Sequence, residues 1–161
     1  FKDDQIDEST TEETIIDSDL EILFPTSYIP SNVERLNLYQ KLSEIKNNEE
    51  FGVFKNQLID RFGYLPIETV NLLESVKLKW VGKELGFRKI VLKNKKMLCY
   101  FISDQNNQFF KQKTFIRIMQ NINKINGCKI KELEKNGLKN LYVVFDKIDS
   151  IEKALNSLNR L

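Results

Sequence analysis

The sequence predicts an α+β fold: a helical N-terminal half, then a small, mostly antiparallel sheet with helices packed against it. Three observations carry this. From Ser31 to about Leu85, apolar side chains recur at steps of three and four. From Lys89 onward the period shifts to two, in paired runs on either side of Asn94-Lys95 and of Asn136-Gly137. Thr114 to Ile125 and Ile151 to Leu158 then return to helical spacing, so helices separate and follow the strand pairs.

Residues 1–19 hold few apolar side chains and no sustained period. They read as an acidic linker, with a helical turn around Thr11 to Ile16. Leu20, Ile22 and Phe24 alternate, which predicts a short strand ended by Pro25. Pro25 and Pro30 bracket an extended crossing through Tyr28. A first helix starts at Ser31, where Ser31 and Glu34 have capping-box spacing. Val33, Leu36, Tyr39, Leu42 and Ile45 form its inward stripe, and Asn47-Asn48 ends it. A second helix covers Glu49 to Phe62, with Phe51, Phe54, Leu58 and Phe62 inward. Gly63 stands where a helix needs a left-handed residue to close its last carbonyls. Pro66 suits the first turn of a third helix reaching Leu85, since its missing N–H costs nothing there. Val70, Leu73, Val76 or Lys77, and Trp80 mark its stripe, with Trp80 read as a core anchor, and Gly86 stops it.

The two hairpins are Lys89 to Leu92 with Met97 to Ile102, and Lys129 to Leu133 with Leu138 to Phe145. Asn-Gly is the stronger turn signal, because type I′ geometry needs φ > 0 at both central residues. Ser150 or Asp149 caps the last helix. Cys99 and Cys128 lie in apolar-patterned runs and read as reduced core residues, with a disulfide left open.

The 161 residues allow one domain with a normal core, or a domain plus a tail. The boundaries expected are 1–19 for the linker and 20–161 for the domain. The chain starts with Phe1 rather than Met, so a piece of a longer protein is expected. No run approaches the ~20 apolar residues of a membrane span, and no signal-peptide pattern is present. Neither a membrane nor a secretory address is therefore expected. The first thirty residues carry nine acids and one lysine, net −8, and the other 131 carry +10. A near-neutral total thus hides an acidic leader on a basic body. That is either a solvated linker on an ordinary domain, or a body facing an acidic partner or nucleic acid.

The chain has no histidine, which removes the commonest general base, the Ser-His-Asp triad and histidine metal sites. Two cysteines 29 positions apart make no zinc cluster. There is no phosphate-binding Gly-rich loop, and acid pairs such as Asp3-Asp4 and Glu49-Glu50 lie on polar stretches. The fragment is expected to be no enzyme by itself and to hold no metal or cofactor.

Two groups of residues remain to be explained. Asp60 lies in the last turn before Gly63, where unpaired carbonyls make a helix end partly negative. A carboxylate there costs roughly 0.3–1 kcal/mol. Its compensation is either a local pair with Arg61 or a partner outside the chain. Lys89, Lys93, Lys95 and Lys96 cluster on the first hairpin, preceded by Lys77, Lys79, Lys83 and Arg88. They read as a solvated strand edge or as a patch for phosphates. Aromatic residues are not interleaved with them as a single-strand stacking platform requires.

The run YIPSNVERLNLYQKL at 28–42, then LIDRFGYLP at 58–66 and LESVKLKWVGKELGFRKI at 73–90, resembles the C-terminal (TRCF) domain of the bacterial transcription-repair coupling factor (Mfd) family. LEILFPTSYIP at 20–30 resembles the family's entry into this domain. The likeness covers about 20–102, and beyond Ser103 it rests on the order of elements. It implies a cytoplasmic bacterial DNA translocase of transcription-coupled repair. Such a translocase acts on stalled RNA polymerase and recruits UvrA, while ATP, Mg²⁺ and DNA are handled by motor domains that precede this segment. Residues 1–19 would then be the linker from that motor. The resemblance further implies an autoinhibitory domain that clamps the N-terminal UvrB-like module and masks its UvrA-binding surface. The family's contact includes acidic side chains on the helix ending in the D-R-F-G elbow. Asp60 matches one of them, with Arg61 next in the motif, and the position three residues earlier is Gln57 and not acidic. The alternative is a nucleic-acid-contacting domain using the Lys77–Lys96 patch.

Overall fold

The computed structural model describes residues 13–102 and 108–161. The chain divides into two compact units. One is Glu21–Glu74, and the other is built from the residues on either side of it.

The helical unit holds α1 (Asn32–Ser43), α2 (Asn48–Phe62) and the first half of α3 (Ile67–Glu84). Ser31 caps α1, accepting from the Glu34 N–H at 3.2 Å, and Asn47 caps α2, accepting from Glu50 at 2.8 Å. Each satisfies one of the N–H groups a helix start leaves bare. Asn47 thus opens a helix as well as following one. Phe51, Phe54 and Leu58 are buried as the periodicity requires. The stripe expected on α1 is only partly inward. Leu42 is buried, but Val33 and Leu36 are 69% and 68% exposed. The helix turns its Leu42 edge inward and leaves its N-terminal apolar pair at the surface.

Residues 20–24, expected as a strand, are not one. Leu23 is tied to α3 instead: its N–H donates to the Glu68 carbonyl at 3.2 Å, and Thr69 Oγ1 donates to its carbonyl at 3.3 Å. The strand lies earlier, at Ile15–Ser18 (β1), inside the stretch read as linker. The helical turn expected at 11–16 is likewise absent from residues 13–16. The rest of that stretch, with most of the acidic leader and Asp3-Asp4, lies outside the described residues.

The other unit is a five-stranded sheet in the order β1-β2-β3-β5-β4, with β2 Phe87–Lys93, β3 Lys96–Phe101, β4 Cys128–Lys135 and β5 Leu138–Asp146. β1 runs parallel to β2, and the other pairings are antiparallel. Both hairpins turn on two residues with positive φ, Asn94 (55°) and Lys95 (60°), then Asn136 (54°) and Gly137 (77°). That is the turn whose twist matches paired strands. The second half of α3, a 3₁₀ turn at Gln108–Lys111, α4 (Lys113–Ile122) and α5 (Ile151–Leu158) complete the unit. Ser150, not Asp149, caps α5, accepting from Lys153 at 3.1 Å.

One face of the sheet is the core. Ile90, Leu92, Met97, Cys99, Phe101, Val143 and Phe145 are buried on it. A Cβ on Gly82 of α3 would lie 2.9 Å from Ile90, so that helix sits hard against this face. Phe101 meets the rings of Phe109 and Phe115 at 5.9 and 5.4 Å. Trp80, expected as a core anchor, is only half-buried. Leu78 takes the deep position on α3. Cys99 and Cys128 are free thiols, both buried.

Candidate functional site

The elbow after α2 is built by residues far apart in sequence. Gly63 has φ +89° and ψ −162°, a region beyond the left-handed helical one and essentially restricted to glycine. Its N–H donates to the Ile59 carbonyl at 2.9 Å. The hydroxyl of Tyr28 donates to the Gly63 carbonyl at 2.8 Å and lies 3.4 Å from that of Leu58. Tyr28 therefore ties the crossing segment to the end of α2. Its ring meets Phe62 at 5.7 Å. Arg35 holds the crossing segment in turn: Nη1 donates to the Ile29 and Pro30 carbonyls at 2.7 and 3.1 Å, and Nη2 to Asn32. Tyr39 Oη accepts from the Phe24 N–H at 2.8 Å. Tyr28, Arg35 and Tyr39 thus fix the elbow and its entry. The sequence motif signalled them without disclosing these roles.

Gln57, Asp60 and Arg61 of α2 are exposed. They do not form one cluster. Arg61 Nη2 lies 2.7 Å from Glu34 Oε1 of α1, and its guanidinium sits 5.1 Å over the Phe62 ring. The local pair that could have compensated Asp60 is therefore directed elsewhere. Among the described residues the Asp60 carboxylate makes no hydrogen bond or ion pair. Gln57 opens on a groove between α1 and α2 lined also by Lys41, Val53 and Phe54. The groove also carries Glu44, Glu49 and Glu50, and Asp60 lies outside its lining; an exposed, uncompensated carboxylate on this helix can accept a cationic side chain of a partner.

The lysines of the first hairpin are exposed but not all unpaired. Lys93 Nζ lies 3.1 Å from Asp17 of β1, and Lys96 Nζ 4.0 Å from Asp146 of β5. Lys89 and Lys95 carry no ion pair among the described residues. The expectation that aromatic groups are not interleaved with these lysines fails across the sheet, because strand pairing brings in residues distant in sequence. Lys89 is the register partner of Tyr100, and Tyr100 of Tyr142. The two tyrosine rings stack at 5.0 Å.

No group of three or more His, Cys, Asp or Glu arranged to hold a metal occurs among the described residues. Burial pushes the Cys99 thiol well above its ordinary range, with Cys128 nearby adding to this, and pushes Cys128 up to about 11. Neither thiol is poised as a nucleophile at neutral pH. No helix among the described residues is long and apolar enough to cross a membrane.

Comparison with known proteins gives a consistent answer. The family model of the TRCF domain matches residues 18–112, which include the elbow, Gln57, Asp60 and the first hairpin. A transcription-repair-coupling factor of Rickettsia conorii is 38% identical over 90 residues, 56% of this chain. Those of Escherichia coli and Staphylococcus aureus are 32% identical over 85 and 88 residues, 53% and 55% of the chain. These matches take in only 8%, 7% and 8% of the three relatives' own lengths. A crystal structure of the C-terminal domain of a transcription-repair coupling factor superposes with a TM-score of 0.67, covering 92% of this chain and 91% of that one. At 19% identity it shares the fold, including the part beyond the family match.

Proposed function

Because the chain belongs to the TRCF domain family, we propose that it is the non-catalytic, autoinhibitory C-terminal domain of a transcription-repair coupling factor. In this reading it clamps the N-terminal UvrB-like module of the same protein and masks the surface that UvrA binds. It thereby restrains the DNA translocase until RNA polymerase is engaged. ATP and Mg²⁺ belong to the motor domains, not to this segment.

The observation that supports the clamp most is Asp60. It is exposed, stands at the negative end of α2, and has no compensating cation among the described residues, since Arg61 is taken by Glu34. A carboxylate kept at a helix C-terminus without local compensation costs stability, and a basic group on another domain would recover it. Coupling of this kind is typically worth about 1–3 kcal/mol, or 5–150-fold masking.

The test is made in the full-length protein without polymerase. Asp60→Ala raises UvrA affinity by roughly 5-fold or more if the clamp uses this carboxylate. Gln57→Glu acts the other way, adding a second charge on the same face. Unchanged UvrA affinity in both variants, each folded, removes Asp60 from the clamp.

A further inference from the structure

The second face of the sheet differs from the core face in both burial and charge. Partners in register point to the same side, and side chains alternate along each strand. Through the strand pairings, Ile15, Lys89, Tyr100, Tyr142 and Lys131 form one continuous row across all five strands. With strands about 4.8 Å apart, the row spans roughly 19 Å. Its centre is the stacked pair Tyr100–Tyr142, both half-buried, with Val91 and Leu98 beside it, also half-buried. The core-face neighbours Ile90, Met97, Cys99 and Val143 are at 0% exposure.

Charge is sorted by face. On β4 the lysines Lys129, Lys131 and Lys135 alternate with Glu132 and Glu134, so every β4 lysine shares the tyrosine face and both glutamates lie opposite. Lys89 joins them from β2. The acids of the strands on this face, Asp17 and Asp146, are both engaged at one end, by Lys93 and Lys96. Lys89, Lys129, Lys131 and Lys135 carry no ion pair among the described residues. An aromatic centre flanked one strand away on each side by an ammonium group matches bases joined by phosphates. Rings supply sequence-tolerant stacking and lysines supply counter-charge. A duplex would hide its base faces, and an acidic peptide would have no use for the rings.

We infer that this face binds an unpaired nucleic-acid strand, with bases stacked on Tyr100 and Tyr142 and phosphates held by Lys89 and Lys131. This binding is separate from the clamp, because its residues lie outside the α2 face that carries Asp60.

The test is anisotropy of labelled oligo(dT) and oligo(U) of about twelve nucleotides, within the ~4–16-nucleotide range of such sites, with the whole 161-residue chain. Either single strand binds more tightly than a duplex of equal length, and the tighter of the two tells DNA from RNA. Tyr100→Ala and Tyr142→Ala each weaken binding roughly ten-fold, while Tyr100→Phe, which keeps the ring, changes it little. Lys89→Gln and Lys131→Gln each reduce the salt slope by about 0.7. Lys139→Gln, on the opposite face, leaves binding unchanged. A variant that loses its circular dichroism is replaced by crosslinking of wild type to an iodouridine oligonucleotide, expected at Tyr100 or Tyr142. The inference is overturned by no binding at low salt, by equal affinity for duplex, by folded tyrosine variants that bind as wild type, by equal displacement with polyglutamate, or by crosslinks confined elsewhere.

Discussion

The exposed face of α2 and the open face of the sheet are both candidate contact surfaces, and they are built in opposite ways. Gln57 and Asp60 sit three residues apart on one helix, so helical geometry alone places them on a shared face. The row from Ile15 to Lys131 draws one residue from each of five strands. Its existence depends on register, which the turns at Asn94-Lys95 and Asn136-Gly137 and the parallel pairing of β1 set. A slip of one residue would carry every lysine of β4 to the other side. A helical surface is thus robust to distant change, whereas a sheet surface fails whenever its scaffold does.

Two glycine substitutions break that comparison most strongly. Gly86 has φ +81°, and a Cβ there would lie 2.3 Å from the Phe109 ring. Gly86→Ala combines backbone strain with overpacking and costs roughly 3–5 kcal/mol. Gly63 has φ +89° but open space around a Cβ. Gly63→Ala meets only the backbone term, about 1–3 kcal/mol. Urea unfolding of both variants checks the order. Equal losses would mean that the packing of Phe109 contributes nothing at Gly86.

The same contrast explains what could be read from residues alone. Ser31, Asn47 and Ser150 act within three residues of their partners, so their caps follow from local spacing. Asn136-Gly137 announces its hairpin for the same reason. Asp60 was legible as an electrostatic misfit because the misfit is local. β1 was not, since four residues paired parallel to a strand more than seventy positions away leave no local trace. Alternation at Leu20 to Phe24 misled because this segment, bent at Leu23, hydrogen-bonds to α3 rather than to a strand. Val33 and Leu36 have correct helical spacing, but spacing does not say which edge turns inward. Tyr28 on Gly63 and the Tyr100–Tyr142 pair need tertiary contacts 35 and 42 positions apart.

The buried thiols sharpen the comparison from the sheet side. Cys99 and Cys128 are neutral in the folded state, with Cys128 raised to about 11 and Cys99 raised well above its usual range. In the unfolded chain they ionise near ~8.5. The folded state then holds more protons between those values, so the stabilisation is present below pH ~8.5 and lost as pH rises toward about 11. Stability measured by urea titration should fall across that window. Cys99→Ala/Cys128→Ala, less stable at neutral pH, should fall less steeply. An equal slope in the double variant would assign the alkaline loss to other groups.

The smallest effects are expected on α2, and their signs are the informative part. Arg61→Ala removes an ion pair whose arginine is 64% exposed and whose glutamate is 26% exposed. Such a pair contributes about 0–1 kcal/mol, and loss of the guanidinium over Phe62 adds a little more. Asp60→Ala should move stability the other way, by roughly +0.3–1 kcal/mol, because a negative charge leaves the negative end of the helix. High salt should shrink both differences, since both are exposed electrostatic terms. Denaturation midpoints of the two variants at low and high salt measure this directly. A destabilised Asp60→Ala would mean that the carboxylate has a stabilising role within the helical unit. Its exposure would then no longer argue for a partner, and the surface robust to its surroundings would be the one that carries no function.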